Sequence, residues 1–219
     1  MTIGFILLIA TGLLILFGVG QRVLDRLRLT DRQAILFIVL IILGGLAPDI
    51  RVTERFAFNI GGALIPLALC AWLWIRADTA AERARSLAAA AITAVAVGLI
   101  ARYMPSEPEA LPMEPMYAYG IAAGVIAWLL GRSRRGAFIA GTLGVMLYEI
   151  AGWIYARAQG MPQRLVLGGA GGYDVIVIAG LLAVLLSELI GELIERAQRG
   201  RRRPTREFVN GDFVRRAQR

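Results

Sequence analysis

Seven long stretches with little or no charge occupy most of the 219-residue chain. A helix needs about 20 apolar residues to cross about 30 Å of hydrocarbon, and these stretches approach or reach that length. Hydrophobic residues make up 58% of the chain, above the roughly 45–50% of a soluble domain. The stretches are 3–20, 34–50, 56–75, 86–101, 116–131, 136–156 and 172–194. We therefore predict an all-α fold, a polytopic transmembrane helix bundle in the cell membrane.

The arginines between these stretches predict the orientation of the bundle. All 24 basic residues are arginine, and arginine density alternates between high and low along the connections. The odd-numbered connections and the C-terminal tail together hold 19 arginines, and the even-numbered connections hold 5. Cytoplasmic loops carry the excess of basic residues. The alternation therefore favours seven spans, with the N-terminus outside and the C-terminus in the cytoplasm. Because 16 residues rise only about 24 Å, the shorter stretches also fit buried helices, and five or six spans stay open.

Missing residue types exclude several kinds of chemistry. The chain has no histidine, no lysine and one cysteine, Cys70. Common zinc sites, Ser-His-Asp triads, phosphate-binding loops with an invariant lysine, and lysine Schiff bases each need one of these residues. We therefore expect no zinc, retinal or haem, and no disulfide within the chain.

A few polar residues interrupt or adjoin the apolar stretches, and these are the candidates for function. Ionisable groups in hydrocarbon are costly and by default face the bundle interior or a hydrated cavity. On the seven-span topology they all fall towards the outer ends of the spans, which predicts a shallow, outward-facing acidic cavity. Oxygen ligands without histidine or cysteine favour Mg²⁺, Ca²⁺, Mn²⁺, a monovalent cation or a proton. The residues are Asp49, Asn59, Glu114, Glu149 and Asp174.

Each of these residues also has a structural interpretation. Asp49, Glu114 and Asp174 could be solvated loop or capping residues, and Asn59 could cap its helix. Glu149 is harder to explain in this way, because it lies in the middle of an apolar stretch and must be either paired or neutral.

The third stretch contains a predicted helix break. Gly61, Gly62 and Pro66 lie within one apolar segment, where they loosen the helical hydrogen bonds and free backbone carbonyls. Broken helices of this kind build solute and ion sites in transporters. The alternative is close helix packing, which also uses small residues.

The chain divides by composition into a helical bundle, residues 1–194, and a basic tail, residues 195–219, predicted to be cytoplasmic. Arginines beside a membrane attract anionic headgroups by about 1 kcal/mol each. We therefore expect the lipid bilayer and anionic lipid headgroups as partners, and no nucleic acid, because no folded binding module is present. Oligomerisation stays open. The lipid-contacting arginines are Arg199, Arg201, Arg202 and Arg203.

Three segments carry a family resemblance. They are QRVLDR with LTDRQ within 21–33, NIGGALIP at 59–66 and GGAGGYD at 168–174. With them the chain resembles the small polytopic membrane proteins of bacteria and archaea that are grouped under a domain of unknown function. The resemblance covers most of residues 1–195. It implies residence in a membrane and no particular activity.

A second resemblance is to the GxGD intramembrane aspartyl proteases. Their two catalytic aspartates lie in a Tyr-Asp pair and in a Gly-x-Gly-Asp motif on consecutive helices. The matching positions are Tyr148-Glu149 and residues 171–174. Glutamate replaces aspartate in the first, and Tyr173 stands where the second motif has glycine.

Three functions follow as hypotheses. The first is a transporter or channel-like protein that binds a cation or a proton at the five polar residues. The second is an intramembrane hydrolase with Glu149 and Asp174 as an acid/base pair. The third is a membrane scaffold without catalytic activity, in which the acids are structural.

The orientation can be tested by cysteine labelling. A cysteine introduced between Arg102 and Pro115, in a variant without Cys70, should react with an impermeant maleimide added outside intact cells, since this connection is predicted to be extracytoplasmic. Reaction from the cytoplasmic side alone would show that the spans are miscounted or inverted.

Overall fold

Six helices form most of the computed structural model, which describes residues 31–103, 115–131, 133–201, 206–209 and 212–215. Each helix overlaps one of the predicted stretches two to seven, and the first predicted stretch lies outside the described residues. The mostly helical fold is therefore confirmed. The helices are α1 (Asp31–Gly45), α2 (Ile65–Ile75), α3 (Ala80–Tyr103), α4 (Pro115–Gly131), α5 (Arg134–Ala158) and α6 (Val175–Arg201).

Polar side chains cap the N-termini of two helices. The Thr79 hydroxyl accepts a hydrogen bond from the Glu82 N–H (3.1 Å) at the start of α3. The Ser133 hydroxyl accepts one from the Gly136 N–H (3.0 Å) at the start of α5. The first N–H groups of a helix have no partner within it, and a side-chain cap of this type stabilises a helix by about 1 kcal/mol.

Helix α5 lies at the centre of the bundle. It packs against α2, α3, α4 and the short strand that precedes α6. Its residues 135–142 are all buried. Helix α3 is buried on one face only, and the opposite face exposes apolar side chains such as Ile92, Val95 and Leu99.

Two of the described helices, α3 and α5, are long and apolar enough to cross a membrane. Four further apolar helical segments of 10–17 residues are shorter: Ile35–Gly45, Ile60–Ile75, Ile121–Leu130 and Val175–Ser187.

A small three-stranded sheet joins the helices at one end and was not predicted. Its strands are β1 (Ile50–Thr53), β2 (Phe56–Phe58) and β3 (Leu165–Leu167). Strand β2 pairs antiparallel with β1 and parallel with β3. Residues 56–58 were expected to start the third helix, so the predicted start was wrong. The two phenylalanines suit a strand, and the Phe56 ring packs on the Trp153 ring of α5 at a centroid distance of 5.3 Å.

The segment before α2 is a π-helical turn, Ile60–Leu64. The Leu64 N–H donates to the Asn59 carbonyl, five residues back, at 3.2 Å. Gly61 and Gly62, two of the residues of the predicted break, lie in this wide turn, and Pro66 lies in the first turn of α2. Turns of this type are rare and occur often at functional sites.

The chain divides into two compact units, Met1–Ser187 and Glu188–Arg219. The second unit contains the end of α6 and a hairpin of β4 (Arg206–Val209) and β5 (Asp212–Arg215), paired antiparallel. The predicted lipid-contacting arginines cannot be assigned contacts: Arg202 and Arg203 lie outside the described residues, and so do the side chains of Arg199 and Arg201.

Glycine at position 62 is required by packing. A Cβ atom there would overlap the carbonyl oxygen of Gly168. Gly62→Ala should therefore lower the free energy of unfolding by about 1–3 kcal/mol, measured by denaturant unfolding in detergent.

Gly152→Ala is the matched control. It lies in α5, where an added Cβ atom meets nothing within 4 Å. This change should leave the free energy of unfolding equal or raise it by up to about 1 kcal/mol, because alanine favours the helix. Equal stabilities for the two variants would contradict the close contact at Gly62.

Candidate functional site

Three glycine-containing segments meet at the end of the bundle where α1 ends and α6 begins. The end of α1 contacts the π-helical turn at Gly61, where an added Cβ would overlap the backbone of Ile41 and Gly45. The π-helical turn contacts the loop before α6 at Gly62 and Gly168. A Cβ added at Gly171 would lie only 2.9 Å from the Cα of Gly45. Gly168 and Gly171 also have positive φ angles of 68° and 61°, which favour glycine. We call this contact region the glycine junction.

Asn59 ties the glycine junction together by hydrogen bonds. Its side chain is buried, with 3% of the residue exposed. The side-chain oxygen accepts from the Gly62 N–H (3.0 Å), and the side-chain nitrogen donates to the Asp49 carboxylate (3.0 Å). Its backbone N–H donates to the Leu167 carbonyl of β3 at 2.9 Å. The residue thus caps the π-helical turn and also orients one of the predicted acids.

The Asp174 carboxylate caps the start of α6. The residue is 8% exposed, and each carboxylate oxygen accepts a backbone N–H, from Ile176 (3.0 Å) and from Ala170 (3.2 Å). These two donors hold the carboxylate against the first turn of α6, the position at which a capping side chain stabilises a helix. The capping interpretation of Asp174 therefore describes its observed contacts.

Glu149 lies on the interior face of α5. Thr142, Val145 and Met146, which are buried, precede it by seven, four and three residues, the spacings that place side chains on one helix face. Glu149 is partly buried, and it lies within electrostatic range of Asp174. The fold thus brings a carboxylate from α5 within electrostatic range of the carboxylate at the start of α6.

The fold brings together only some of the five predicted site residues. Asp49, Asn59 and Asp174 belong to the segments of the glycine junction, and Glu149 interacts with Asp174. Glu114 lies outside the described residues. Within the part of the chain that the structure describes, no three acidic or cysteine side chains are grouped so as to hold a metal ion.

A second polar cluster, at the start of α5, was missed by the sequence analysis. The Arg135 guanidinium pairs with the carboxylates of Asp78 (2.6 Å) and Glu82 (3.5 Å), and it donates to the Arg76 carbonyl (2.7 Å). The Ser133 hydroxyl donates to Glu82 at 3.0 Å. Arg135 is 7% exposed and Glu82 is 9% exposed. We call these residues the Arg135 cluster.

The Arg135 cluster joins segments that are far apart in the sequence. Arg135 and its acidic partners are separated by more than 50 residues, and the arginine had been counted only as a sign of orientation. The one local signal was Thr79-x-x-Glu82, the pattern of a helix capping box.

Comparisons with known proteins give one match. A family model described as "Protein of unknown function (DUF1614)" matches residues 24–186. Searches of curated proteins and of solved structures found no match. The resemblance to a family of unknown function is confirmed, and nothing in these comparisons supports the resemblance to the GxGD proteases.

The buried ion pairs make Arg135 important for stability. Arg135→Ala should lower the free energy of unfolding by about 3–5 kcal/mol, because it leaves a buried carboxylate without its cation. Denaturant unfolding in detergent measures the change.

Arg85→Ala, on the exposed side of α3, is the control and should change the free energy of unfolding by no more than about 0.5 kcal/mol. If Arg135→Ala is as stable as Arg85→Ala, the ion pairs contribute little. A double variant with Glu82→Gln should be more stable than the sum of the two single changes predicts, since the pair is lost only once.

Proposed function

Because the chain belongs to the DUF1614 family of proteins of unknown function, membership assigns no activity, and we propose a function from its own residues. The protein is a polytopic protein of the cell membrane that binds a proton, or a monovalent cation, at the carboxylates of Glu149 and Asp174. It conducts the bound ion across the membrane. The observation that carries this proposal is that Glu149, on the interior face of α5, lies within electrostatic range of the buried Asp174.

Membrane insertion is supported by hydropathy and by the surface of the helices. Helices α3 and α5 are long and apolar enough to cross a bilayer, and α3 turns Ile92, Val95 and Leu99 outward, where lipid would cover them. The proposal includes seven spans with the N-terminus outside, following the arginine alternation. It also includes contact of the tail arginines with anionic lipid.

A proton suits the two carboxylates. Two like charges in a poorly hydrated site cannot both ionise easily, so the pair tends to hold one proton. Asp174 is fixed by two backbone N–H donors. We therefore assign the exchange of the proton to Glu149, and the stabilisation of its charge state to Asp174.

A divalent metal is less well supported than a proton. Mg²⁺ and Ca²⁺ bind to six or more oxygen ligands, several of them usually carboxylates. The described residues contain no group of three candidate ligands. A proton needs only the pair.

A scaffold is the second candidate. Asp49, Asn59 and Asp174 all make hydrogen bonds that hold loops and helix starts together, as they would if their role were only structural. A scaffold predicts no flux in the experiment below. The intramembrane hydrolase, the second hypothesis from the sequence, has no support from the comparisons with known proteins.

Flux measurements test the proposal. The purified protein is reconstituted in liposomes that contain a pH-sensitive dye, and a pH gradient or a K⁺ diffusion potential is applied. Wild-type protein should carry protons, and Glu149→Gln should reduce the flux by about 100-fold, the effect typical of removing a positioned proton-transfer group.

Glu54→Gln is the matched control, because Glu54 is exposed in the turn between β1 and β2. It should keep the wild-type flux. Flux no higher than that of empty liposomes for the wild-type protein would reject transport and favour the scaffold. Wild-type flux in Glu149→Gln would remove Glu149 from the site.

A further inference from the structure

Three polar residues form a line along α5. Arg135, Thr142 and Glu149 are spaced seven residues apart. Seven residues fall only about 20° short of two helical turns, so the three side chains share one face, each about 10 Å along the axis from the next. The line connects the Arg135 cluster at one end of α5 with the Glu149–Asp174 pair towards the other.

Thr142, the middle residue, has a polar group without a strong partner. The residue is 0% exposed, and its hydroxyl makes no hydrogen bond to a nitrogen or oxygen atom of the described residues. The hydroxyl instead interacts with the Cys70 thiol, which is only a weak hydrogen-bonding group. On the α6 side it contacts Gly180, where an added Cβ would overlap the hydroxyl. A buried hydroxyl that lacks a strong partner destabilises the fold by about 1–3 kcal/mol. A functional role would explain why threonine occupies this position.

Apolar side chains separate Thr142 from both ends of the line. On one side, Phe138 and Ile139 pack in a core cluster with residues of α2 and α6. On the other, Val145 and Met146 pack with the first turns of α6. Each apolar section is about 10 Å long. Protons do not cross such a distance without a chain of hydrogen-bonding groups.

The Arg135 cluster provides an exit to solvent. Its two carboxylates, Asp78 and Glu82, are both bound to the Arg135 guanidinium. The Asp78 side chain is 45% exposed. A proton that reaches this cluster can therefore continue into water.

We propose that the hydroxyl of Thr142 is the intermediate relay of a proton path along α5, from Glu149 to the Arg135 cluster. This inference rests on the proposed proton function. Water molecules enter the two apolar sections transiently and complete the chain of hydrogen bonds on either side of Thr142. The proton leaves the carboxylic acid of Glu149 for the first water. Each water, and the Thr142 hydroxyl, accepts one proton and releases another, and a carboxylate of the Arg135 cluster receives the last. Only O–H bonds form and break, and nothing is oxidised or reduced.

Thr93 of α3 offers a matched control. It is also 0% exposed, and its hydroxyl also makes no hydrogen bond within the described residues. It packs against Gly144 of α5. Gly144 is two residues after Thr142, about 200° further round the helix, and so lies on the other side of α5. Thr93 therefore has the same chemistry and burial away from the line.

The test compares Thr142→Val, Thr142→Ser and Thr93→Val in the proteoliposome proton-flux assay, beside wild type and Glu149→Gln. Thr142→Val keeps the shape of the side chain and removes the hydroxyl. It should reduce the flux by about tenfold or more, since a positioned proton-transfer group contributes at least this much. Thr142→Ser should keep most of the flux, and Thr93→Val should match wild type. Replacing an unpaired hydroxyl by a methyl group is neutral or stabilising, so both valine variants should unfold at or above the wild-type temperature.

The outcomes separate this inference from the proposed function. Wild-type flux in Thr142→Val, together with loss of flux in Glu149→Gln, would overturn the relay and leave the proposed site in place. An equal loss in Thr142→Val and Thr93→Val would overturn it too, because packing would then explain both. Absence of flux in wild type would reject the proposed function and the relay together. If Thr142→Val does not fold, Thr142→Ala takes its place with the same expected loss.

Discussion

The requirement that every buried N–H and C=O group has a hydrogen-bond partner shapes this structure more than any other constraint. Long apolar segments meet it by forming helices, whose hydrogen bonds lie within the segment. Where a helix stops among apolar surroundings, other partners are needed. At the glycine junction these are strand pairing between β2 and β3, the π-helical turn, and the side chains of Asn59 and Asp174. Polar side chains inside an apolar chain therefore act first as hydrogen-bond partners of buried backbone groups. Any further function must use polar side chains that are not already engaged in this way.

Buried charge is managed differently at the two ends of α5. At its start, Arg135 is neutralised by two carboxylates and further bonded to a carbonyl, which offsets the cost of removing these charges from water. Further along α5, Glu149 lies within electrostatic range of another acid, Asp174, an arrangement that favours sharing a proton rather than forming an ion pair. This contrast is the physical basis for placing the proposed proton-binding site at Glu149 and Asp174 rather than at Arg135. Arg135 is a buried residue held by ion pairs as well as a member of an arginine-rich connection. Its presence in that connection is therefore explained by packing as well as by membrane orientation.

The extent of sequence-based prediction follows the range of each interaction. Hydropathy is a property of each segment alone, and it located the six helices of the described chain. Eight of their twelve ends lie within three residues of the predicted ones. Residues 56–58 were mistaken for helix because a three-residue strand has too little pattern, and its partner β3 lies more than 100 residues further on. The acids and Asn59 were identified as unusual in apolar surroundings, but their partners were not. Asp78 and Glu82 were not identified at all, because their ion-pair partner Arg135 lies more than 50 residues further along the chain.

The amino-acid sequence by itself therefore determined that the chain forms apolar helices, where most of them lie, and which polar residues are exceptional among them, because burial of apolar side chains and hydrogen bonding within a helix are local. Only the tertiary structure decided that Asn59 holds Asp49, that Glu149 comes within electrostatic range of Asp174, and that Thr142 lies between two polar ends of one helix face. These relations depend on how separate segments pack. The close approach of glycine backbones from three parts of the chain sets that packing, and no single segment contains the information for it.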